Sequence, residues 1–245
     1  MIYLNNLRPK IFALNLVAYS YFNKLVAILT SRVMIKKGFW ILFVVLAISI
    51  GLYPGLYFLI DREFGLLSTK SAELLTGTFW NIGFYVHIIS GGVALLIGWM
   101  QFSSKIRTGN RKLHKQIGKI YLVAVILSGV AGVFIGFYAT GGFVSSLGFI
   151  CLGVFWLYTT LKAYLYIRNK QIEEHQKMMI YSYAACFAAV TLRIWLPILT
   201  LIFSDFIKAY TLVSWLCWIP NLFIARLITS RIATSTQTTT QTTTQ

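Results

Sequence analysis

Residues 80–102 read WNIGFYVHIISGGVALLIGWMQF, a run of 23 residues without a lysine, arginine, aspartate or glutamate. At 1.5 Å per residue, a helix of that length reaches about 35 Å, enough to cross the hydrocarbon of a bilayer. Apolar runs of span length also occupy 39–60, 120–140, 142–166 and 178–203, and a sixth at 210–228 carries Pro220 and Asn221. Lipid offers the backbone no hydrogen-bond partner, so runs of this length are helical. The fold class is therefore all-α: a multi-pass transmembrane helix bundle of about six spans.

Composition agrees, with 58% apolar and 11% charged residues in a chain of 245. A net charge of +16 would suggest nucleic acid in a soluble domain, but here the cations sit in short loops between apolar runs, where they set topology. No nucleic-acid partner is expected; the lipid bilayer is the partner. If the first span leaves the cytoplasm, the inner segments collect Lys36, Lys37, Lys105, Arg107, Arg111, Lys112, Lys115, Lys119, Arg168, Lys170, Lys177, Arg226 and Arg231. The outer loops hold only Arg62, Lys70 and Lys208. Both termini are then cytoplasmic.

The domain division follows. Residues 34–230 form the six-helix transmembrane domain, and 231–245 is a Thr/Gln tail with no core to bury, expected to be disordered. Residues 1–33 read as an amino-terminal extension. Its run at 11–30 is interrupted by Asn15, Ser20, Asn23 and Lys24, which leaves an interfacial helix, a weak seventh span or a natural start at Met34-Ile-Lys-Lys. Cys151, Cys186 and Cys217 lie inside apolar runs without CxxC spacing and read as small packing residues.

The second span places His87, Gly91, Ala94, Gly98 and Gln101 on one stripe, and the third places His114, Gly118, Tyr121, Val125, Ser128, Gly132 and Gly136 on another. Facing small residues let two helices approach closely, so these stripes mark the expected tight seam. The fifth span aligns His175, Ser182, Ala189 and Arg193. Eighteen residues separate its two ionisable ends by about 27 Å, with His175 inner and Arg193 in the outer half. An arginine at that depth requires protein, water or an anion beside it. Candidates are the His87 ring, the carbonyls of the 139–142 turn, or a bound anionic group. The hairpins of spans two–three and four–five also look alike, with Leu113-His114-Lys115-Gln116 and Glu174-His175-Gln176-Lys177 at matching places, so His114 and His175 fall at one height.

The motifs together resemble a known family. They are His87 with Gly91-Gly92 and Gly98-x-x-Gln101-Phe102, then Arg111-Lys112-Leu113-His114-x-x-x-Gly118-Lys119-x-Tyr121, then Gly141-Gly142 and Gly148-Phe149. Trp156-x-x-Thr159 and His175-Gln176-Lys177-Met178-Met179-x-x-Ser182-Tyr183, ending at Arg193, complete the set. The pattern over 39–197 is similar to the bacterial predicted membrane protein family, domain of unknown function 2306. The resemblance implies a multi-pass protein of the bacterial inner membrane and brings no established activity with it. It adds weight to His87, His114, His175 and Arg193, which fall on its motif positions. Lys115 and Gln176 stand where it leads one to expect arginine.

Two histidines on different helices at one depth are a ligand pair for a haem b, and an intramembrane histidine beside an arginine suits a quinone. The leading reading is a haem b or quinone binding redox protein that uses His87, His114, His175, Arg193, Tyr121 and Gln101, with a quinone or a membrane redox protein as partner. A flat ligand would use Phe155, Trp156 and Tyr158. The alternative is a permease-like or accessory membrane protein without a cofactor. Only Glu173 and Glu174 are nearby carboxylates and no third histidine accompanies the inner pair, so no metal site is expected. No nucleophile elbow, phosphate loop or HExxH motif is present, which leaves hydrolase and nucleotide chemistry unsupported and any catalytic residue unassigned.

Overall fold

In the computed structural model, backbone is described for residues 32–60 and 65–242 and side chains for 34–60 and 65–232; the 1–31 stretch lies outside the described residues. Six helices are long and apolar enough to cross a membrane: Met34–Leu59, Thr78–Phe102, Arg111–Gly136, Phe143–Arg168, Ile172–Phe203 and Phe206–Ile232. They are numbered below as the first to sixth spans. The third begins nine residues before its apolar run because the Asn110 side chain accepts from the Leu113 amide at 2.9 Å and caps the helix there. Asp205 caps the sixth in the same way, through the amides of Ile207 and Lys208 at 2.9 and 3.1 Å. Past the sixth span the helix continues to Thr242, so the backbone of the Thr/Gln stretch is helical as far as that residue.

Two compact units divide the chain, 1–45 and 46–245. The described part of the first is the opening of the first span, where Trp40 and Phe43 lie with ring centroids 5.5 Å apart. The second unit holds the bundle. Spans two, three, four and five pack each against the next, and span two also meets span five, which closes a ring of four. The sixth span lies along the fifth and also touches the fourth.

The interior is the reverse of a water-soluble core. Ser128, Ser145, Ser182 and Ser214 are each fully buried, whereas Leu59, Phe79 and Leu201 are 83%, 82% and 81% exposed. Large apolar side chains can face outward at no cost only when the solvent is lipid; small and polar residues then gather where helices meet. The seam expected between spans two and three is present. A Cβ on Gly91 would lie 2.8 Å from Ser128 Oγ, and one on Gly132 would lie 2.8 Å from His87 Nδ1. Between spans three and four the chain turns through Gly141 and Gly142, at φ +91° and +76°, a region that residues with a Cβ rarely adopt.

Prolines mark irregularities, though not all at the kinks. Pro54 lies in a tight 3-10 turn, Tyr53–Gly55, and Pro220 opens the second half of the sixth span. Pro197 sits within the continuous helix Ala188–Phe203, while the break in the fifth span falls at Phe187.

Candidate functional site

The candidate residues separate into two groups at opposite ends of the bundle, with a sealed polar layer between them. At the basic end, His175 Nδ1 lies 2.8 Å from the Ala163 carbonyl oxygen. A carbonyl only accepts, so Nδ1 carries the proton and the neutral ring keeps its lone pair on Nε2. This is how a ligating histidine is held and oriented by its outer partner. His114 is in electrostatic reach of His175, and its Nδ1 is buried with no hydrogen-bond partner among the described residues. Its backbone carbonyl accepts from Gln101 Nε2 at 3.2 Å, and the Gln101 Oε1 lies over Gly118, 3.6 Å from where a Cβ would be. The end of span two and the start of span three are thereby joined beside the histidine pair.

Midway, Tyr121 is 1% exposed and its hydroxyl meets Ser182 Oγ at 2.8 Å. Ser182 Oγ lies 2.6 Å from Thr160 Oγ1, and Trp156 Nε1 donates to the Tyr121 hydroxyl at 3.4 Å. The layer links spans three, four and five, and Tyr183 adds span two by donating to the Leu95 carbonyl at 2.9 Å. Tyr121 is therefore a packing and hydrogen-bonding centre. The expected flat-ligand face of Phe155, Trp156 and Tyr158 does not exist as one surface. Trp156 is 7% exposed and turned into this layer, while Tyr158 is 55% exposed on the outside; successive helical positions two apart point to different sides.

At the opposite end, His87 is clamped to span three by a reciprocal pair. Its Nδ1 donates to the Ser128 carbonyl at 2.9 Å, and the Ser128 hydroxyl donates back to the His87 carbonyl at 2.9 Å. Here too the neutral ring keeps its lone pair on Nε2. Arg193 lies with its guanidinium carbon 4.3 Å from the Tyr53 ring centroid, and one of its N–H groups, on Nη1, bonds the Ala189 carbonyl a turn back at 2.8 Å. It also interacts electrostatically with Tyr57 and His87. Its hydrogen bond goes to Ala189 rather than to a carbonyl of the 139–142 turn; just before that turn, the Tyr138 carbonyl accepts from Lys70 Nζ at 2.5 Å. Pro197 has no N–H to return to the Arg193 carbonyl, so the backbone is opened at the residue that carries the charge.

Sequence reading missed Tyr53 and Tyr57. Their rings sit 6.0 Å apart, and a Cβ on Gly65 would lie 3.5 and 3.6 Å from their hydroxyls. The available signal was their spacing of four around Pro54, which puts both on one helix face. Tyr57 belongs to an aromatic cluster with Leu67, Trp80 and Phe84, in which Trp80 Nε1 is buried without a hydrogen-bond partner among the described residues. The segment Gly65–Thr69 covers this end. It is pinned by Thr69 Oγ1 to Thr140 Oγ1 at 3.1 Å and by Lys70 Nζ to the same Thr140 oxygen at 3.0 Å.

Among the described residues, no group of three or more histidine, cysteine, aspartate or glutamate side chains can hold a metal ion. In comparison with known proteins, the profile of a family described as Predicted membrane protein (DUF2306) matches residues 84–229, more than half of the chain. No curated protein and no solved structure matches.

Proposed function

The chain belongs to this family of predicted membrane proteins, and from that premise we propose that it binds a redox-active ligand, a haem b or a quinone, within its helix bundle. The observation that carries the reading is the anchoring of His175. Its Nδ1–H is held on the Ala163 carbonyl, which leaves Nε2 to ligate, across from a His114 whose Nδ1 has no answer. His114 and His175 are the ligand pair at the basic end, with Gln101 bracing the His114 helix; His87 and Arg193 are the second place, at the other end. Tyr121 supports both from the layer between. The charge asymmetry supports an orientation with the basic end and both termini in the cytoplasm of a bacterial inner membrane.

Protein purified from haem-replete cells is expected to show a Soret band that shifts on reduction and is lost in His114→Ala and in His175→Ala. A colourless preparation removes the haem form and leaves the quinone form, which added ubiquinone or menaquinone tests by quenching tryptophan fluorescence; no quenching removes that too.

Arg193 favours a second reading, a permease-like protein without a cofactor, because it is a cation inside a span with no carboxylate partner among the described residues. Flux of an anion in proteoliposomes, abolished by Arg193→Gln without any pigment, is the outcome that reading expects.

A further inference from the structure

Arg193 stands eleven residues from Ser204, where its helix ends, which places it about 16 Å from that end of the span. A charge at such depth needs protein groups, water or an anion beside it. The ion pairs that the described carboxylates make are local and at the span ends: Glu173 and Glu174 with Lys177, and Asp205 with Lys208. Tyr53 covers one face of the guanidinium, and the Ala189 carbonyl takes one N–H. Neither supplies a negative charge.

We infer that Arg193, with the Tyr53 hydroxyl, forms a binding site for an oxyanion, a carboxylate or phosphate group. Three features select that class. A guanidinium has five N–H donors in a planar fork that matches two oxygens of one carboxylate or phosphate, and a hydrogen bond to the Ala189 carbonyl leaves most of the fork for a ligand. The Tyr53 phenol, whose ring the guanidinium covers, carries a further O–H donor beside the fork. His87 has committed its Nδ1–H to the Ser128 carbonyl, so that donor is not offered to the site. A neutral ligand would leave the cation uncompensated, which is why the site selects an anion. The inference specifies the second of the two places in the redox reading and is independent of whether the first holds a haem.

The oxyanion can arrive from water or on an amphiphile in the membrane, and two probes separate these sources: inorganic phosphate and oleate. Each is titrated against the purified full chain in an uncharged detergent, with the thermal unfolding midpoint as the readout. At least one is expected to raise the midpoint saturably. Phosphate alone indicates a soluble ligand, and oleate alone a lipid-borne one. Arg193→Gln is expected to weaken that binding at least tenfold, and Tyr53→Phe, which keeps the ring under the guanidinium, by about threefold. Arg193→Lys, which keeps the charge but not the fork, is expected to fall between them and serves where the glutamine variant does not fold. No saturable rise with either probe overturns the site, as does equal affinity in wild type and Arg193→Lys. An absorbance spectrum of wild type and His114→Ala reads the basic end separately.

Discussion

Lys70 lies between the first two spans, outside the membrane-crossing segments, yet it is partly buried and holds the Gly65–Thr69 cover to the turn after span three. Burial pushes its ammonium down from 10.5 to about 8. Because the folded value is the lower one, the cost of burying the charge is present in full below about pH 8. It is relieved as the pH rises toward 10.5, where the unfolded chain also loses its proton. The contribution of Lys70 to folding stability therefore rises across that window. Acylation of Lys70 followed by mass spectrometry is expected to titrate with a midpoint near 8; a midpoint near 10.5 refutes this. At the same scale, His87, His114, His175 and Arg193 were visible in the sequence as polar residues in or beside apolar runs. Which nitrogen each histidine uses, and that Arg193 rests on Tyr53, depend on carbonyls and rings brought in from other helices.

Two spans are broken side by side. The fifth is interrupted at Phe187 and the sixth at Cys217 and Trp218, and a break frees backbone carbonyls that lipid cannot satisfy. Asn221 answers them: its Nδ2 lies 3.0 Å from the Cys217 carbonyl, 3.2 Å from that of Ala184 and 3.2 Å from Thr191 Oγ1. The Thr191 hydroxyl also donates to the Cys217 carbonyl. Asn221→Leu keeps the volume but leaves these acceptors short of donors, and is expected to destabilise the bundle by about 1–2 kcal/mol, read as a lowered unfolding midpoint in detergent. Asn221→Gln tests whether reach matters as well as chemistry. The proline at 220 was legible as a disturbance of the sixth span. The break at Phe187 was not, since Pro197 drew attention ten residues further on, and the residues around Phe187 carry no local signal for a kink.

Within the 46–245 unit, the described loop lysines and arginines gather at one end, with Lys70 and Lys208 the exceptions at the other, where Arg193 also lies inside its span. Membrane insertion retains cations on the cytoplasmic side, so the basic end is expected to face inward. In sealed inverted and right-side-out vesicles, an impermeant maleimide is expected to label Thr108→Cys only from the cytoplasmic side and Ser68→Cys only from the other. The reverse pattern inverts the orientation and exchanges the sides assigned to the two candidate sites.

The sequence by itself determined the all-helical class, the six spans and the segregation of basic loops, because these follow from the length and charge of local runs in a solvent without hydrogen bonds. It also placed the seam between spans two and three, since small residues at steps of three and four define a face before any partner is known. Only the tertiary structure decided that Tyr121 belongs to a sealed layer, that Tyr53 and Tyr57 attend Arg193, and that Asn221 bridges two broken helices. Each of those depends on which helices are neighbours and at what rotation. A single helix's periodicity fixes its own face but carries no information about the residue opposite.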